Sequence, residues 1–268
     1  MKYKQKVYYQ DENKDEIIDF KIKAIKIDEN YKYIHKNVFY KIWSFVTYRL
    51  IATPIDFVYT KLFRRIKFVN RKVLKKHKKG GYFIYANHTD QFSDGFSPTL
   101  ICFPKKPHLV VNPDNVSMPV WGRFTRMWGA LPLPDTLGAV KNFNHAMEHT
   151  LEKDNPILIY PEAHLWPYYT KIRPFDARSF RYPIHFDKPV YTFTTTYQLR
   201  KEGKKPKMVI YVDGPFYVDK NLDKKQAQQD LRDRIYQQMC ERAKLSNYEY
   251  LTYIKVDKPI ASDTENTK

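Results

Sequence analysis

One short stretch, residues 87–94 with the sequence NHTDQFSD, contains the side chains best suited to chemistry. A neutral imidazole can take a proton from an alcohol near pH 7, and a carboxylate on its other nitrogen fixes the tautomer and stabilises the imidazolium. His88 and Asp94 would form such a pair, and Asp90 is a second candidate for the orienting carboxylate. The alternative is a histidine that bonds a backbone carbonyl beside two solvated loop aspartates.

The spacing of His88 and Asp94 limits how they can meet. On one continuous helix, residues six apart point about 240° away from each other at 3.6 residues per turn. Residues 82–85 (YFIY) are typical of a buried strand, and Ser97 followed by Pro98 predicts a short helix over residues 97–103. We therefore expect His88 in a turn between a strand and a helix, with Asp94 on the segment after that turn.

A second strand end carries a polar side chain. Residues 156–160 (PILIY) indicate a buried strand, and Glu162 follows it directly. Side chains at the carboxyl ends of parallel strands can converge on one edge of a sheet, where α/β folds place their sites. Further strands are expected over residues 105–112, 130–135, 189–194 and 208–212, with helices over 118–129, 138–153 and 221–245. This alternation indicates an α/β fold.

Composition restricts the partners and the compartment. Among 268 residues, 47 Lys and Arg against 29 Asp and Glu give a formal charge of +18, which attracts nucleic acid, an anionic bilayer or a phosphorylated compound. No recognisable nucleic-acid motif accompanies these charges. Cys102 and Cys240 lack a CxxC pattern, which favours a reducing compartment and excludes a disulfide scaffold. We expect no secretory signal at the start of the chain, and no metal, since His145 and His149 have no third ligand.

Residues 38–63 (VFYKIWSFVTYRLIATPIDFVYTKLF) are apolar and aromatic. Charged residues interrupt every window long enough to span a bilayer, and Pro54 is expected to divide the run into two helices. Two amphipathic helices lying in the lipid headgroup region fit this pattern, with the basic residues that come after them facing anionic lipid. The alternative is a pair of ordinary core helices. The expected organisation is a charged extension (1–36), interfacial helices with a basic stretch (37–80), an α/β domain (81–260) and a polar tail (261–268).

Four blocks in order resemble the PlsC-type glycerolipid acyltransferases, over roughly residues 36–217. Asn87 and His88 with Asp94 resemble the family's Asn-His-(four residues)-Asp block, although five residues separate His88 from Asp94 here. Residues 128–135 (WGALPLPD) resemble the second block and residues 188–193 (KPVYTF) the fourth. Residues 160–165 (YPEAHL) resemble Phe-Pro-Glu-Gly-Thr-Arg and keep only the Pro and the Glu.

The resemblance implies a glycerol-3-phosphate acyltransferase-like mixed sheet flanked by helices and preceded by a membrane-interface segment. It also implies transfer of a fatty acyl group from acyl-coenzyme A or acyl carrier protein to the hydroxyl of a lysophospholipid such as 1-acyl-glycerol-3-phosphate. His88 would be the general base and Asp94 its orienting partner. Glu162 would bind the acceptor's glycerol hydroxyl or organise its loop.

The departures from the family pattern concern the acceptor. The two arginines that hold the acceptor phosphate in the family are absent, and Lys171, Arg173 and Arg178 are the candidates to replace them. No bound cofactor is expected, and the enzyme would act at the cytoplasmic face of the cell membrane. Two alternatives remain: an acyltransferase for another acceptor, such as an amino-acid or glycosyl lipid, and an inactive basic protein that binds lipid or nucleic acid.

Overall fold

A seven-stranded sheet lies at the centre of the structure, a computed structural model that describes residues 5–18, 22–77, 79–200 and 205–257. The strands are β1 (Gln5–Tyr9), β2 (Lys67–Val69), β3 (Phe83–Ala86), β4 (His108–Val111), β5 (Ala130–Pro132), β6 (Ile157–Ile159), β7 (Val190–Gln198), β8 (Lys207–Phe216) and β9 (Leu251–Lys255). The α-helices are α1 (Val38–Val46), α2 (Thr53–Phe57), α3 (Lys72–Lys75), α4 (Ser93–Cys102), α5 (Asp114–Ser117), α6 (Trp121–Trp128), α7 (Leu137–Glu152), α8 (Arg181–Phe186) and α9 (Lys224–Ala243).

The strand order across this sheet is β2-β8-β7-β3-β6-β4-β5. Only the β7–β8 pair is antiparallel, so the predicted mixed α/β sheet is confirmed. Central β3 pairs with β6 on one side and β7 on the other, and all four of its residues are buried. Phe83 and Tyr85 pack towards α7 and α9, whereas Ile84 and Ala86 pack towards α3 and α4. This alternation is the period of a strand covered on both faces.

The N-terminal extension packs against the α/β domain in its described part. Strand β1 pairs in parallel with β9 to form a separate two-stranded sheet. Tyr9 meets the edge of Trp166 at 4.8 Å between ring centroids, and Trp166 stacks on Tyr253 at 5.1 Å. The Trp166 indole N–H donates to the Asp15 carbonyl at 2.9 Å. The extension therefore covers the loop that follows β6.

Helix α4 begins four residues before the predicted start at Ser97. The Asp90 carboxylate accepts the backbone N–H of Ser93 at 2.9 Å, and the Asp94 N–H bonds the Asp90 carbonyl at 3.0 Å, so Asp90 caps the helix. Pro98 lies inside the helix and has no N–H for the carbonyl of Asp94 four residues earlier. The Tyr160 hydroxyl donates to that carbonyl instead, at 2.6 Å.

Residues 38–63 form one continuous helix, which we call the long helix, and the predicted break at Pro54 is absent. Two π-helical stretches, Thr47–Ala52 and Val58–Phe63, alternate with α1 and α2. The Thr53 N–H bonds the Tyr48 carbonyl five residues earlier, and this wider turn precedes Pro54 at the start of α2. A π-turn before a proline accommodates the missing hydrogen bond without ending the helix. No helix in the described residues is long and apolar enough to cross a membrane.

The long helix turns its polar side inwards. Its buried residues are Thr47, Tyr48, Ala52, Asp56 and Thr60. Its outward side is apolar and includes half of the large hydrophobic side chains that are exposed in the described part of the chain. A helix packed on a globular core normally shows the reverse distribution. The outward side of the long helix is therefore an exposed apolar surface of the kind that marks interaction sites in other proteins.

Asp56 is the most unusual member of the buried side. It is 2% exposed, its Oδ1 has no hydrogen-bond partner among the described residues, and Tyr48 donates to the neighbouring Thr99 hydroxyl at 3.1 Å. Burial raises the pKa of Asp56 to about 8, although the Thr99 hydroxyl opposes this shift. The side chain is therefore protonated in the folded protein at neutral pH.

This pKa predicts a stability that falls as pH rises. Folded Asp56 keeps its proton up to about pH 8, whereas the unfolded chain releases it near 3.8, so the folded state binds more protons between these values. We expect the free energy of unfolding of the wild type to fall by a few kcal/mol relative to Asp56→Asn between about pH 4 and 8. Urea titrations at several pH values measure this difference. Asp219→Asn, at an exposed position, is the control and should show the same pH dependence of stability as the wild type. If Asp56→Asn also showed the pH dependence of the wild type, the raised pKa of Asp56 would be contradicted.

Candidate active site

His88 lies in the turn that follows the central strand β3. The preceding residue fixes that turn, because the Asn87 side-chain amide donates to the Thr195 carbonyl at 3.0 Å and accepts the Thr195 N–H at 2.8 Å. Asn87 is almost fully buried, so these two bonds satisfy its polar atoms and tie the end of β3 to β7. The turn that carries His88 is therefore held rigidly at the carboxyl edge of the sheet.

The structure brings His88 and Asp94 together. His88 Nδ1 lies 2.8 Å from Asp94 Oδ2, and the same oxygen accepts the backbone N–H groups of Thr89 at 2.8 Å and Asp90 at 3.0 Å. Burial raises the pKa of Asp94, and the bonds from His88 and from the Asp90 N–H oppose this shift. A carboxylate that accepts from Nδ1 assigns the ring proton to that nitrogen. Nε2 then carries the lone pair that can receive a proton.

Asp90 points to a different partner. Its Oδ2 accepts from Arg64 Nη2 at 2.9 Å, while its Oδ1 caps α4 through Ser93. The described structure shows no bond between its carboxylate and His88. Asp90 thus holds the start of the helix that carries Asp94 and links it to Arg64 at the end of the long helix.

Tyr160 forms the floor beneath His88. The two rings stack at 4.3 Å between centroids with an interplanar angle of 22°. The Tyr160 hydroxyl bonds the Asp94 carbonyl that Pro98 leaves free, so the end of β6 supports both members of the pair. The His88 side chain keeps 24% of its surface exposed, whereas Asp94 keeps 5%. One side of the imidazole is therefore open to a substrate.

Glu162 is close to His88, but protein groups occupy its carboxylate. Oε2 accepts the backbone N–H of His88 at 3.1 Å, and Oε1 accepts that of Arg173 at 2.9 Å. The Arg173 guanidinium lies 3.5 Å from Oε2 and also donates to the carbonyls of Glu12 and His164. Burial raises the pKa of Glu162, and the charge of Arg173 opposes this shift. Glu162 therefore organises the loop after β6 and holds the His88 backbone.

The three basic residues predicted to bind phosphate differ in their surroundings. Arg173 is fully buried against Glu162, so in this structure it has no surface with which to contact a phosphate. Arg178 is exposed and pairs with Asp176 at 2.5 Å, and Lys171 is exposed. A role for Lys171 and Arg178 in binding substrate stays a prediction, whereas we assign Arg173 to positioning Glu162.

A cluster of cations beside the pair was not singled out from the sequence. The cluster, which we call the Arg64 cleft, surrounds a volume of about 590 Å³ and contains Lys61, Arg64, Arg65, Lys67, Arg200 and Lys207. β2 and β8 begin at this edge of the sheet, and β7 ends there, on the same side as His88. The sequence showed Lys61 to Lys67 as part of a long basic stretch. Only the pairing of β8 with β7 and β2 adds Arg200 and Lys207 to it.

Other reactive side chains lie apart from His88 or are inaccessible. Burial raises the pKa of the Cys102 thiol to about 12, and Ser93 is 1% exposed with its hydroxyl 3.7 Å from the Met208 sulfur. His164 lies 3.9 Å from Glu16 in the loop after β6. The described residues contain no group of three or more His, Cys, Asp or Glu side chains that could hold a metal ion.

Comparison with known proteins identifies the fold. No protein-family model matches the sequence, and no curated protein matches it. Among solved structures, the chain is similar to the 1-acyl-sn-glycerophosphate acyltransferase PlsC from Thermotoga maritima, with a TM-score of 0.53 and 14% identity over 77% of this chain and 88% of that one. The mostly parallel sheet flanked by helices therefore has a PlsC-like fold.

Proposed function

We propose that this protein transfers an acyl group from a thioester to the hydroxyl of a lipid, with His88 as the general base. The observation that supports this most directly is the 2.8 Å contact between His88 Nδ1 and Asp94, within a PlsC-like fold. The contact leaves Nε2 available on a partly exposed ring. An imidazole held in this way is suited to deprotonate an alcohol.

The mechanism rests on this arrangement. Nε2 takes the hydroxyl proton while the alcohol oxygen attacks the thioester carbonyl carbon, and the imidazolium is stabilised by Asp94. The tetrahedral intermediate then expels the thiolate, which takes the proton back from Nε2 as the C–S bond breaks. The products are the lipid ester and the free thiol, so no acyl-enzyme is formed. The burial of Ser93 and Cys102 supports this direct transfer.

The His88–Asp94 pair makes a specific kinetic prediction. We expect His88→Ala and Asp94→Asn each to lower kcat by about 10²–10⁴, because the first removes the base and the second removes the acceptor that fixes its tautomer. Asp90→Asn should lower kcat far less, because Asp90 bonds Arg64 and Ser93 rather than the imidazole. Release of free thiol from long-chain acyl-coenzyme A in the presence of lysophosphatidic acid provides the assay.

Full activity of folded His88→Ala would contradict the mechanism. An equal loss in Asp90→Asn and Asp94→Asn, with unchanged thermal stability, would contradict the assignment of Asp94. Binding to vesicles without turnover over a panel of lysolipid acceptors, including amino-acid and glycosyl lipids, would favour the inactive lipid-binding protein instead.

We infer that the long helix lies on an anionic membrane surface. Its outward side is mainly apolar, from Phe39 (82% exposed) to Phe63 (73% exposed), with Lys41 also exposed, and it ends in the basic residues of the Arg64 cleft. An apolar helix surface next to Lys and Arg is typical of a helix bound in the headgroup region. This position would present a lysolipid acceptor, which is itself embedded in the membrane, close to His88.

Charged substitutions on the outward surface test this placement. We expect Phe39→Glu combined with Leu50→Glu to lower binding to vesicles that contain phosphatidylglycerol at least tenfold, since each exposed apolar side chain contributes about 1.5–3 kcal/mol when fully buried. Leu137→Glu is the matched control, because Leu137 is 93% exposed on α7. Vesicle sedimentation at fixed lipid concentration measures the loss. Unchanged binding of the double variant, with the same melting temperature, would exclude this surface.

The Arg64 cleft is our candidate for the phosphate of a substrate. Its described lining residues include six cations and no carboxylate, and Arg64 joins the cleft to Asp90 beside the catalytic pair. Arginine and lysine side chains bind phosphate oxygens through charge-assisted hydrogen bonds. Both expected substrates carry phosphate, in the headgroup of a lysophospholipid or in coenzyme A and the acyl carrier protein.

Removing two exposed cations of the cleft tests which of the two substrates binds its phosphate there. We expect Arg65→Gln combined with Lys207→Gln to raise KM about tenfold for the substrate whose phosphate binds there, since hydrogen bonds to charged groups contribute about 1.5–3 kcal/mol before solvent screening. KM for a matched substrate without phosphate, monoacylglycerol or an acyl-N-acetylcysteamine thioester, should stay unchanged. Lys72→Gln combined with Lys75→Gln, two exposed lysines on α3, is the charge-matched control. If the variant and the wild type have equal KM values for both phosphorylated substrates, the cleft binds the phosphate of neither.

A further inference from the structure

A second basic cavity lies at the opposite edge of the sheet from His88. It measures about 700 Å³, and we call it the Lys106 cavity. Lys106 and His108 line it where β4 begins, and Asn155 lines it just before β6. His88 follows the other end of β3, so roughly five strand residues, or about 15 Å, separate the two sites. The cavity is therefore distinct from the proposed catalytic site.

The walls of this cavity are positively charged. Among the described part of the chain, 21 residues line it, and they include four histidines and no Asp or Glu. Six of them are lysines or arginines: Lys36, Lys41, Arg49, Lys106, Arg126 and Lys153. A nearby carboxylate, Glu148, lies outside this lining and faces His145 at 3.7 Å with 56% of its side chain exposed. The described lining residues thus supply no anion to balance these cations.

The inner cations contact neutral groups. Lys106 Nζ donates to the Met127 carbonyl at 2.6 Å and lies 4.8 Å from the centre of the Tyr48 ring. Arg49 donates to the Pro104 carbonyl, and its other terminal nitrogen is buried without a partner among the described residues. Carbonyl oxygens satisfy hydrogen bonds but leave the net charge in place. Burying such charges without a counter-ion is unfavourable.

Burial, and after it the neighbouring cations, lowers the pKa of the basic groups in this cavity. Burial lowers the pKa of Lys106 to about 8, and the charge of Arg49 adds to the effect. Burial together with Lys106 lowers the pKa of His108 to about 3. The pKa of His149 is also lowered, first by burial and then by Lys153 and His145, whereas the Glu152 carboxylate opposes this shift. An anion bound among these groups would reverse each of the charge effects.

We propose that the Lys106 cavity binds a phosphate-bearing amphiphile, with the phosphate among the cations and the apolar part against Phe45, Tyr33 and Leu131. Phosphate matches the charge, because several Lys and Arg side chains can share its oxygens. Phe45 matches the apolar part, since it lines the cavity and is 61% exposed on the long helix. The cavity thus adjoins the apolar surface of that helix. The headgroup of an anionic phospholipid and a soluble phosphate ester share this chemistry.

A binding experiment with a local readout tests the site. The pH titration of the His149 ring is followed by NMR, and the His149→Asn variant identifies its resonance. The titration is run without ligand and with sn-glycerol 3-phosphate, dihexanoyl phosphatidic acid or zwitterionic dihexanoyl phosphatidylcholine. We expect phosphatidic acid to raise the pKa of His149 by about 1, because an anion within a few ångströms favours the protonated ring. If glycerol 3-phosphate produces the same shift at the same concentration, the ligand of the cavity is a soluble phosphate ester.

Variants separate this cavity from the Arg64 cleft. Lys41→Gln combined with Lys153→Gln removes two exposed cations from the rim of the cavity and should weaken binding roughly tenfold. Arg65→Gln combined with Lys207→Gln removes two from the other cleft and should leave the His149 response unchanged. An unchanged pKa of His149 with all three probes would overturn the proposal, as would equal affinity in the cavity variant and the wild type. Neither outcome depends on acyl transfer, so the proposed catalytic function is tested separately.

Discussion

The candidate site depends on the hydrogen bonds that the Asp94 carboxylate accepts. One of its oxygens accepts three N–H groups, from the His88 ring and from the backbones of Thr89 and Asp90. The turn after β3, the start of α4 and the tautomer of the histidine are thus determined by one buried charge. A buried carboxylate is unfavourable unless hydrogen bonds satisfy it. The chain therefore has to close around Asp94 in this way for the charge to be tolerated.

The Glu162 carboxylate, which follows the neighbouring strand β6, is also buried and satisfied by hydrogen bonds. Its carboxylate is enclosed by the backbone N–H groups of His88 and Arg173 and lies against the Arg173 guanidinium. The loop after β6 and the turn after β3 are consequently held as one unit. Tyr160 adds a third connection by stacking on His88 and bonding the Asp94 carbonyl. The imidazole is thereby held from several directions, which is the rigidity that general-base catalysis requires.

The remaining surface is uneven in polarity and charge. The long helix buries hydroxyls and a protonated carboxylic acid and presents its apolar side chains outwards. Cationic concavities lie near both ends of this helix, the Lys106 cavity at α1 and the Arg64 cleft after Phe63. The excess of +18 charges is thus partly concentrated in two places rather than spread evenly over the surface. This combination of an apolar surface and two basic sites is the basis of the proposed contact with an anionic membrane.

Local pattern was enough to determine much of this protein. The apolar runs before His88 and Glu162 identified β3 and β6, because buried parallel strands are short and uniformly apolar. The six-residue spacing required a turn between His88 and Asp94. The alternation of strands with helices indicated an α/β fold, and the resemblance to the PlsC-type acyltransferases implied that its sheet is mixed.

Only the tertiary structure decided the partners of each side chain. Arg173 is buried against Glu162, and Asp90 pairs with Arg64. Tyr160 donates to the Asp94 carbonyl, which Pro98 leaves without its helical partner. The helix continued through Pro54 because a π-turn absorbed the missing bond. These outcomes depend on contacts between residues distant in the chain, and a one-dimensional pattern records which charges exist but not which of them meet.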